Sequence, residues 1–223
     1  MKENEDYNEI VIHVKFKEND ATLQQETLGN LGVNLIFGAF HYYDNPRNLI
    51  ESLYDDVAKD NLEIDMIDFS GPAFTYVDNR LMSLQLVKNG MTDAVIFNSE
   101  GNNMLPADVL YKKNIFAVRG SFRPVTKVNI DMLKNGLDMF LKDAICTTDE
   151  TEVLIEITIS NLRADGDIDE RDFLDRVDIL GTLGYTVIIS NYSEYYRLID
   201  YFASYTSGNI GVAMGVNNLL MVF

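Results

Sequence analysis

Cysteine is nearly missing from this chain: Cys146 stands alone among 223 residues. A lone thiol forms neither an intrachain disulfide nor a thiolate metal site, and it fits a reducing compartment. Cations are scarce as well, 18 Lys and Arg against 35 Asp and Glu, for a formal net charge of −17. So acidic a chain repels phosphate backbones and anionic bilayers, which argues against nucleic acid or a membrane surface as partner. The charge leaves room for a local phosphate pocket, where a few Arg and backbone N–H groups dominate. The opening Met1-Lys2-Glu3-Asn4-Glu5-Asp6 lacks an apolar signal segment, and no apolar run reaches the length of a membrane span. Together these absences predict a cytoplasmic protein.

What is present is enough for a core. Hydrophobic residues make up 47% and charged ones 24%, and the length suits a single α/β domain over residues 1–223. No Pro-rich or low-complexity linker interrupts it. Short β-rich apolar runs alternate with amphipathic stretches, the pattern of repeated βα units around a mainly parallel sheet. The strands are expected at Ile10–Phe16, Asn34–Phe40, Glu63–Phe69, Ala94–Asn98, Ile115–Arg119, Val153–Ile159, Thr186–Ser190 and Ile210–Met214. Helices are expected over Pro46–Lys59, Asn79–Asn89, Pro106–Lys112, Val128–Leu141, Glu170–Leu183 and Glu194–Tyr205. Leu23–Leu28 reads as a short helix at most. Asp169 before an acidic first turn, Pro46 at a first helical position and Gly90 and Gly184 at helix ends supply start and stop signals. A (β/α)8-like barrel is favoured over a doubly wound sheet, because Asp65, Asp68, Arg119 and Glu156 interrupt otherwise apolar strands.

The segment Val118-Arg119-Gly120-Ser121-Phe122-Arg123-Pro124-Val125-Thr126-Lys127-Val128-Asn129 joins an expected strand to an expected helix. It resembles the nucleotide-binding turn of phosphopantetheine and nicotinate-mononucleotide adenylyltransferases, which reads Gly-Ser-Phe-x-Pro-Val-Thr-x-Gly-His. The resemblance implies that Gly120 lets backbone approach a phosphate, with Ser121, Arg123, Thr126 and the helix start around it. The family's Gly-His is replaced here by Val128-Asn129. Asn129 can donate a hydrogen bond but cannot become cationic, so transfer chemistry is expected to be weak. More broadly, Gly32-Val33-Asn34-Leu35-Ile36, Glu63-Ile64-Asp65-Met66-Ile67, Gly71-Pro72-Ala73-Phe74 and Asp172-Phe173-Leu174-Asp175-Arg176 resemble long bacterial proteins commonly labelled nicotinate-nucleotide adenylyltransferase. That resemblance implies a piece of a longer chain, as does the apolar ending Asn217-Asn218-Leu219-Leu220-Met221-Val222-Phe223.

Sites in parallel α/β sheets form at the carboxyl ends of strands. His41, read as following the second strand and beside Asp44, is a candidate general acid or base. His13, inside the first strand, reads as packing. Asp68, Arg119 and Glu156 are candidates for acid, base or charge-stabilising roles, against the alternative that Arg119 pairs with Asp68 or Glu156 in the interior. Asn191, in Ser190-Asn191-Tyr192-Ser193-Glu194-Tyr195-Tyr196, and the turn Gly215-Val216-Asn217-Asn218 follow the last strands, where barrels often bind phosphate. Asp165-Gly166-Asp167-Ile168-Asp169 lacks the Gly and Glu register of a calcium loop and reads as an acidic turn feeding a helix. No spacing is diagnostic of a metal, and no cofactor is named. The expected ligand is a nucleotide or another phosphorylated small molecule; the alternative is a non-catalytic module of a larger assembly.

Overall fold

A computed structural model describes residues 7–163 and 166–215. Contacts divide the chain into two compact units, Met1–Val95 and Ile96–Phe223. The first contains β1 (Glu9–Phe16), α1 (Ala21–His41), α2 (Pro46–Ser52), β2 (Leu62–Ser70) and α3 (Asn79–Lys88). Strand β3 (Ala94–Phe97) spans the division. The second unit continues with β4 (Asn103–Met104), α4 (Pro106–Leu110), β5 (Asn114–Arg119), α5 (Lys127–Ala144), β6 (Thr151–Thr158), α6 (Ile159–Leu162), α7 (Glu170–Thr182), β7 (Thr186–Ser190), α8 (Tyr195–Ala203) and β8 (Ile210–Ala213).

In the first unit β1 and β2 form a two-stranded antiparallel sheet, with His13 opposite Met66 and a register shift after His13. Its core gathers Leu31 of α1, Leu49 and Ile50 of α2, Ile64, Ile67 and Phe69 of β2, and Met82 and Leu86 of α3. Burial of this apolar surface stabilises the unit more than its short strands could alone. Asp20 caps α1 by accepting from the N–H groups of Thr22 and Leu23, and Asn45 caps α2, where Pro46 occupies the first turn.

The expected strand Asn34–Phe40 is not a strand. It lies inside α1, a helix of 21 residues that also absorbs Leu23–Leu28. Thr27, Leu31 and Gly38 face inward, while Val33, Ile36, Phe37 and Phe40 on the other side are exposed. With apolar residues on both sides the helical period vanishes from the sequence, and the run imitates a buried strand. The helix expected over Pro46–Lys59 stops at Ser52 and gives way to turns in which Asp56 has φ +56°.

The second unit's sheet has the order β4-β3-β7-β6-β5-β8. β6 runs parallel to β5 and β7, and β5 runs parallel to β8; the short β4, not anticipated from sequence, pairs antiparallel with β3. The architecture is thus mixed α/β with a mostly parallel six-stranded sheet. Closure into an eight-stranded barrel is not shown by these pairings. β5, β6 and β7 are buried along nearly their whole length, which explains why they are mostly apolar, with Arg119 and Glu156 as the charged exceptions inside that buried stretch. Phe116 of β5 packs on Phe140 of α5 at 5.6 Å between ring centroids, so α5 covers the sheet face opposite to Arg119.

Candidate functional site

Register places the polar strand residues on one side of the sheet. Arg119 is the cross-strand partner of Glu156, and Thr158 of Ser190. Alternation along β6 then puts Arg119, Glu156, Thr158 and Ser190 on the face away from α5, at the carboxyl ends of β5, β6 and β7. Arg119 donates from Nε to Glu156 Oε2 at 2.6 Å and from Nη2 to Oε1 at 2.8 Å. Its Nη1 donates to the Ser193 carbonyl at 2.9 Å, and Ser190 Oγ donates to Glu156 Oε1 at 2.5 Å. The Tyr195 ring covers the guanidinium, 4.3 Å from Cζ to the centroid. Glu156 and Ser190 are fully buried. A charge pair removed from water in this way persists only because nearly every lone pair and donor is matched.

Above the pair lies a cavity of about 320 Å³, lined by Arg119, Gly120, Ser121, Thr158, Ser160, Asn161, Ser193 and Tyr195. Arg119 is the sole cation among those lining residues. The chain leaves β5 toward α5 on one face of the sheet and leaves β7 toward α8 on the other, where Tyr195 begins α8 against Arg119. The connections from β5 and β7, the strands that flank β6, thus diverge, and ligands bind at the carboxyl edge of the strands in open α/β folds. Thr158 Oγ accepts from the Asn161 N–H, which turns the chain sharply after β6 and leaves the Ser160 side chain exposed. The wall is chiefly hydroxyls, an amide and backbone.

The Gly120–Asn129 segment divides. Gly120 and Ser121 line the cavity; the other members of the motif are engaged elsewhere. Gly120 has no positive φ, so its value is spatial: a Cβ would lie 3.1 Å from the Phe122 ring, which is itself buried. Arg123 Nε lies 3.1 Å from Asp172 Oδ1, and the same carboxylate holds Arg176, whose Nη1 donates to the Ser121 carbonyl at 3.0 Å. Thr126 and Asn129 form a reciprocal capping box at the start of α5: Asn129 Oδ1 accepts from Thr126 N at 2.9 Å, and Thr126 Oγ1 accepts from Asn129 N. The resemblance in sequence coincides with a helix cap and an ion pair. Arg176 and Asp172, absent from the sequence-based candidates, brace this turn; their i, i+4 spacing on α7 was the available signal.

The remaining candidates lie apart. His41 is the last residue of α1 in the first unit, exposed, with its ring 4.3 Å from that of Phe37. It therefore ends a helix, not a strand. Asp68, also in the first unit, accepts from Asn79 Nδ2 at 2.6 Å, and burial together with nearby Glu9 raises its pKa above 3.8. The expected constellation of His41, Asp68, Arg119 and Glu156 is thus distributed over both units, and Arg119 and Glu156 are the members in contact. His13 is half-exposed, not packed, with Nδ1 2.5 Å from the buried Asp65 carboxylate. Asn191 is exposed just past β7, outside the cavity wall. Asp169 caps α7 by accepting from the N–H groups of Arg171 and Asp172; Asp165 of the same acidic turn lies outside the described residues, as do Val216-Asn217-Asn218, the apolar ending and the first six residues. Set against protein families, curated proteins and solved structures, the chain matches none.

Proposed function

We propose that the protein binds a nucleotide or another phosphorylated small molecule at the carboxyl edge of β5, β6 and β7. The observation that carries this reading is the cavity itself: it sits at the carboxyl edge, where the connections from β5 and β7 leave for opposite faces, beside Gly120, Ser121, Ser160, Asn161 and the first residue of α8. Small hydroxyl residues, backbone N–H groups and a helix start suit an anion; Arg119 borders the cavity with its charge already balanced by Glu156. The site is small, so a phosphate with its attached sugar fits it better than a whole dinucleotide. The position is equally compatible with the barrel and with the open sheet, since both bind at this edge.

Adenylyl transfer of the nicotinate-mononucleotide type is the finer reading, and it has weaker support. Arg123, Thr126 and Asn129 already have structural partners, and no His stands where the motif resembled in sequence has one. The engagement of Arg119 by Glu156, Ser193 and Tyr195 favours a second reading, a non-catalytic module in which this pair is purely architectural.

Calorimetric titration with inorganic phosphate, AMP, ATP, nicotinate mononucleotide and sugar phosphates separates these. Ser160→Asp places a carboxylate on the cavity wall at a helix start that tolerates one. Like-charge juxtaposition costs up to several kcal/mol, so affinity for a phosphorylated ligand should fall at least roughly tenfold while folding is retained. If no phosphorylated compound binds, or Ser160→Asp binds it as well as the wild type, the site assignment is wrong.

A further inference from the structure

Helix α1 is built to be covered on two sides. Thr27, Leu31 and Gly38 are buried on one, where a Cβ at Gly38 would press on Leu49 and Ser52 of α2. The opposite side carries Val33, Ile36, Phe37 and Phe40, exposed by 65, 62, 47 and 77%. Their spacing, i, i+3, i+4 and i+7, makes one continuous apolar stripe, and a helix apolar all round is ordinarily buried all round. No Asp, Glu, Lys or Arg occurs between Glu26 and Asp44.

Gly29 and Gly32 lie on this same outward side. A Cβ added at either would meet nothing in this chain. Glycine weakens a helix interior relative to alanine, and the chain's own packing does not call for it at these positions. A helix from outside, approaching closely, does.

We propose that a second copy of this chain covers the stripe, the two α1 helices crossing antiparallel about a twofold axis at Ile36. That pairing sets Phe40 of each copy opposite Gly32 of the other, and Tyr43, just past the helix, opposite Gly29. Large residues meet small ones from a single stripe, which is the self-complementarity an isologous contact requires. The area reaches the lower end of what a stable contact needs: Val33, Ile36, Phe37, Phe40 and Tyr43 expose on the order of 600 Å² per copy, so their burial on both copies covers about 1,200 Å², where standard interfaces begin. Charge points the same way. In a chain of net charge −17 an uncharged strip is where two copies meet with least repulsion, and that charge disfavours an anionic bilayer as occupant.

Sedimentation velocity and light scattering across a concentration series test this on the whole chain. The wild type should approach twice 25.3 kDa as concentration rises. Phe40→Asp should be monomeric with an unchanged circular dichroism spectrum, since the side chain it replaces is exposed. Gly32→Phe should also be monomeric, because it fills the seat of the partner's Phe40, and it should melt no lower than the wild type does at concentrations too low for the dimer. Ile36→Cys in a Cys146→Ser background should cross-link into a covalent dimer on mild oxidation, because the axis brings the two copies of position 36 together. A wild type that stays monomeric at every concentration overturns the proposal, as does a dimer that persists in Phe40→Asp and Gly32→Phe. Binding of zwitterionic phosphatidylcholine vesicles by the wild type, abolished in Phe40→Asp, would assign the stripe to lipid and overturn it too.

Discussion

Arg119 and Glu156 are cross-strand partners at the carboxyl edge of the parallel sheet, joined by two bonds of 2.6 and 2.8 Å with 6% and 0% of their side chains exposed. The pair carries no net charge, yet each member depends on the other to remain in the interior. Glu156→Ala strands a buried guanidinium and should destabilise the fold by about 3–5 kcal/mol. Arg119→Met combined with Glu156→Leu should recover much of that loss. Urea denaturation of the single and double variants measures both. A Glu156→Ala protein within about 1 kcal/mol of wild type would mean that water reaches the pair.

The capping box at the start of α5 makes a second expectation. Thr126→Ala removes the oxygen that receives the Asn129 N–H and should cost about 1 kcal/mol. Asn129→His, which would restore a residue type of the resembled adenylyltransferase turn, loses the acceptor for Thr126 N and should also lower the melting temperature. Any gain in adenylyl transfer by that variant would show that the helix start reaches a phosphate despite its cap.

Arg123→Ala distinguishes an architectural arginine from a ligand-binding one. Its side chain is 45% exposed and pairs with Asp172, so its loss should cost roughly 0–1 kcal/mol of stability. Because Arg123 does not line the cavity, affinity for a phosphorylated ligand should change less than in Ser160→Asp. The same calorimetric titration ranks the two, and a larger loss in Arg123→Ala would move the site toward the turn.

Asp68 gives a pH dependence whose sign follows from its environment. Burial first, and Glu9 second, raise its pKa in the folded state above 3.8. The folded protein therefore holds this proton more tightly than the unfolded one, and stability falls as pH rises from 3.8 through the raised value, then levels off. Asp68→Asn keeps an acceptor for Asn79 and should be more stable than wild type at pH 7, by less than about 1 kcal/mol because the carboxylate is partly exposed. Below pH 3.8 the difference should vanish. Thermal unfolding of both proteins from pH 3 to 7 checks the direction.

Gly211 of β8 faces Phe140 of α5, and a Cβ there would lie 2.5 Å from the ring. Gly211→Ala should cost about 1–3 kcal/mol through overpacking, and Phe140→Leu in the same chain should return part of it. Double-variant denaturation gives the coupling directly.

Local chemistry is what the sequence could determine alone. Short apolar runs bounded by turns marked β5, β6 and β7; Asp169, Pro46 and Gly184 marked helix ends; Arg119 and Glu156 stood out as polar residues in buried strands. Each of these signals acts among near neighbours in the chain. Partners brought together by strand register or by packing between helices do not. Burial of Arg119 called for Asp68 or Glu156 as its partner, and register chose Glu156, 37 positions away; Arg123 meets an Asp172 that nothing in its own turn foretold. Two local features were hidden for other reasons: in α1 apolar residues on both sides erased the period that identifies a helix, and Asn129 stands where a capping box usually carries Glu or Gln, which disguised its exchange with Thr126. Which polar residue faces a cavity, and which one holds a cap or a carboxylate, was decided only when the β-strands took their register and the helices chose their faces.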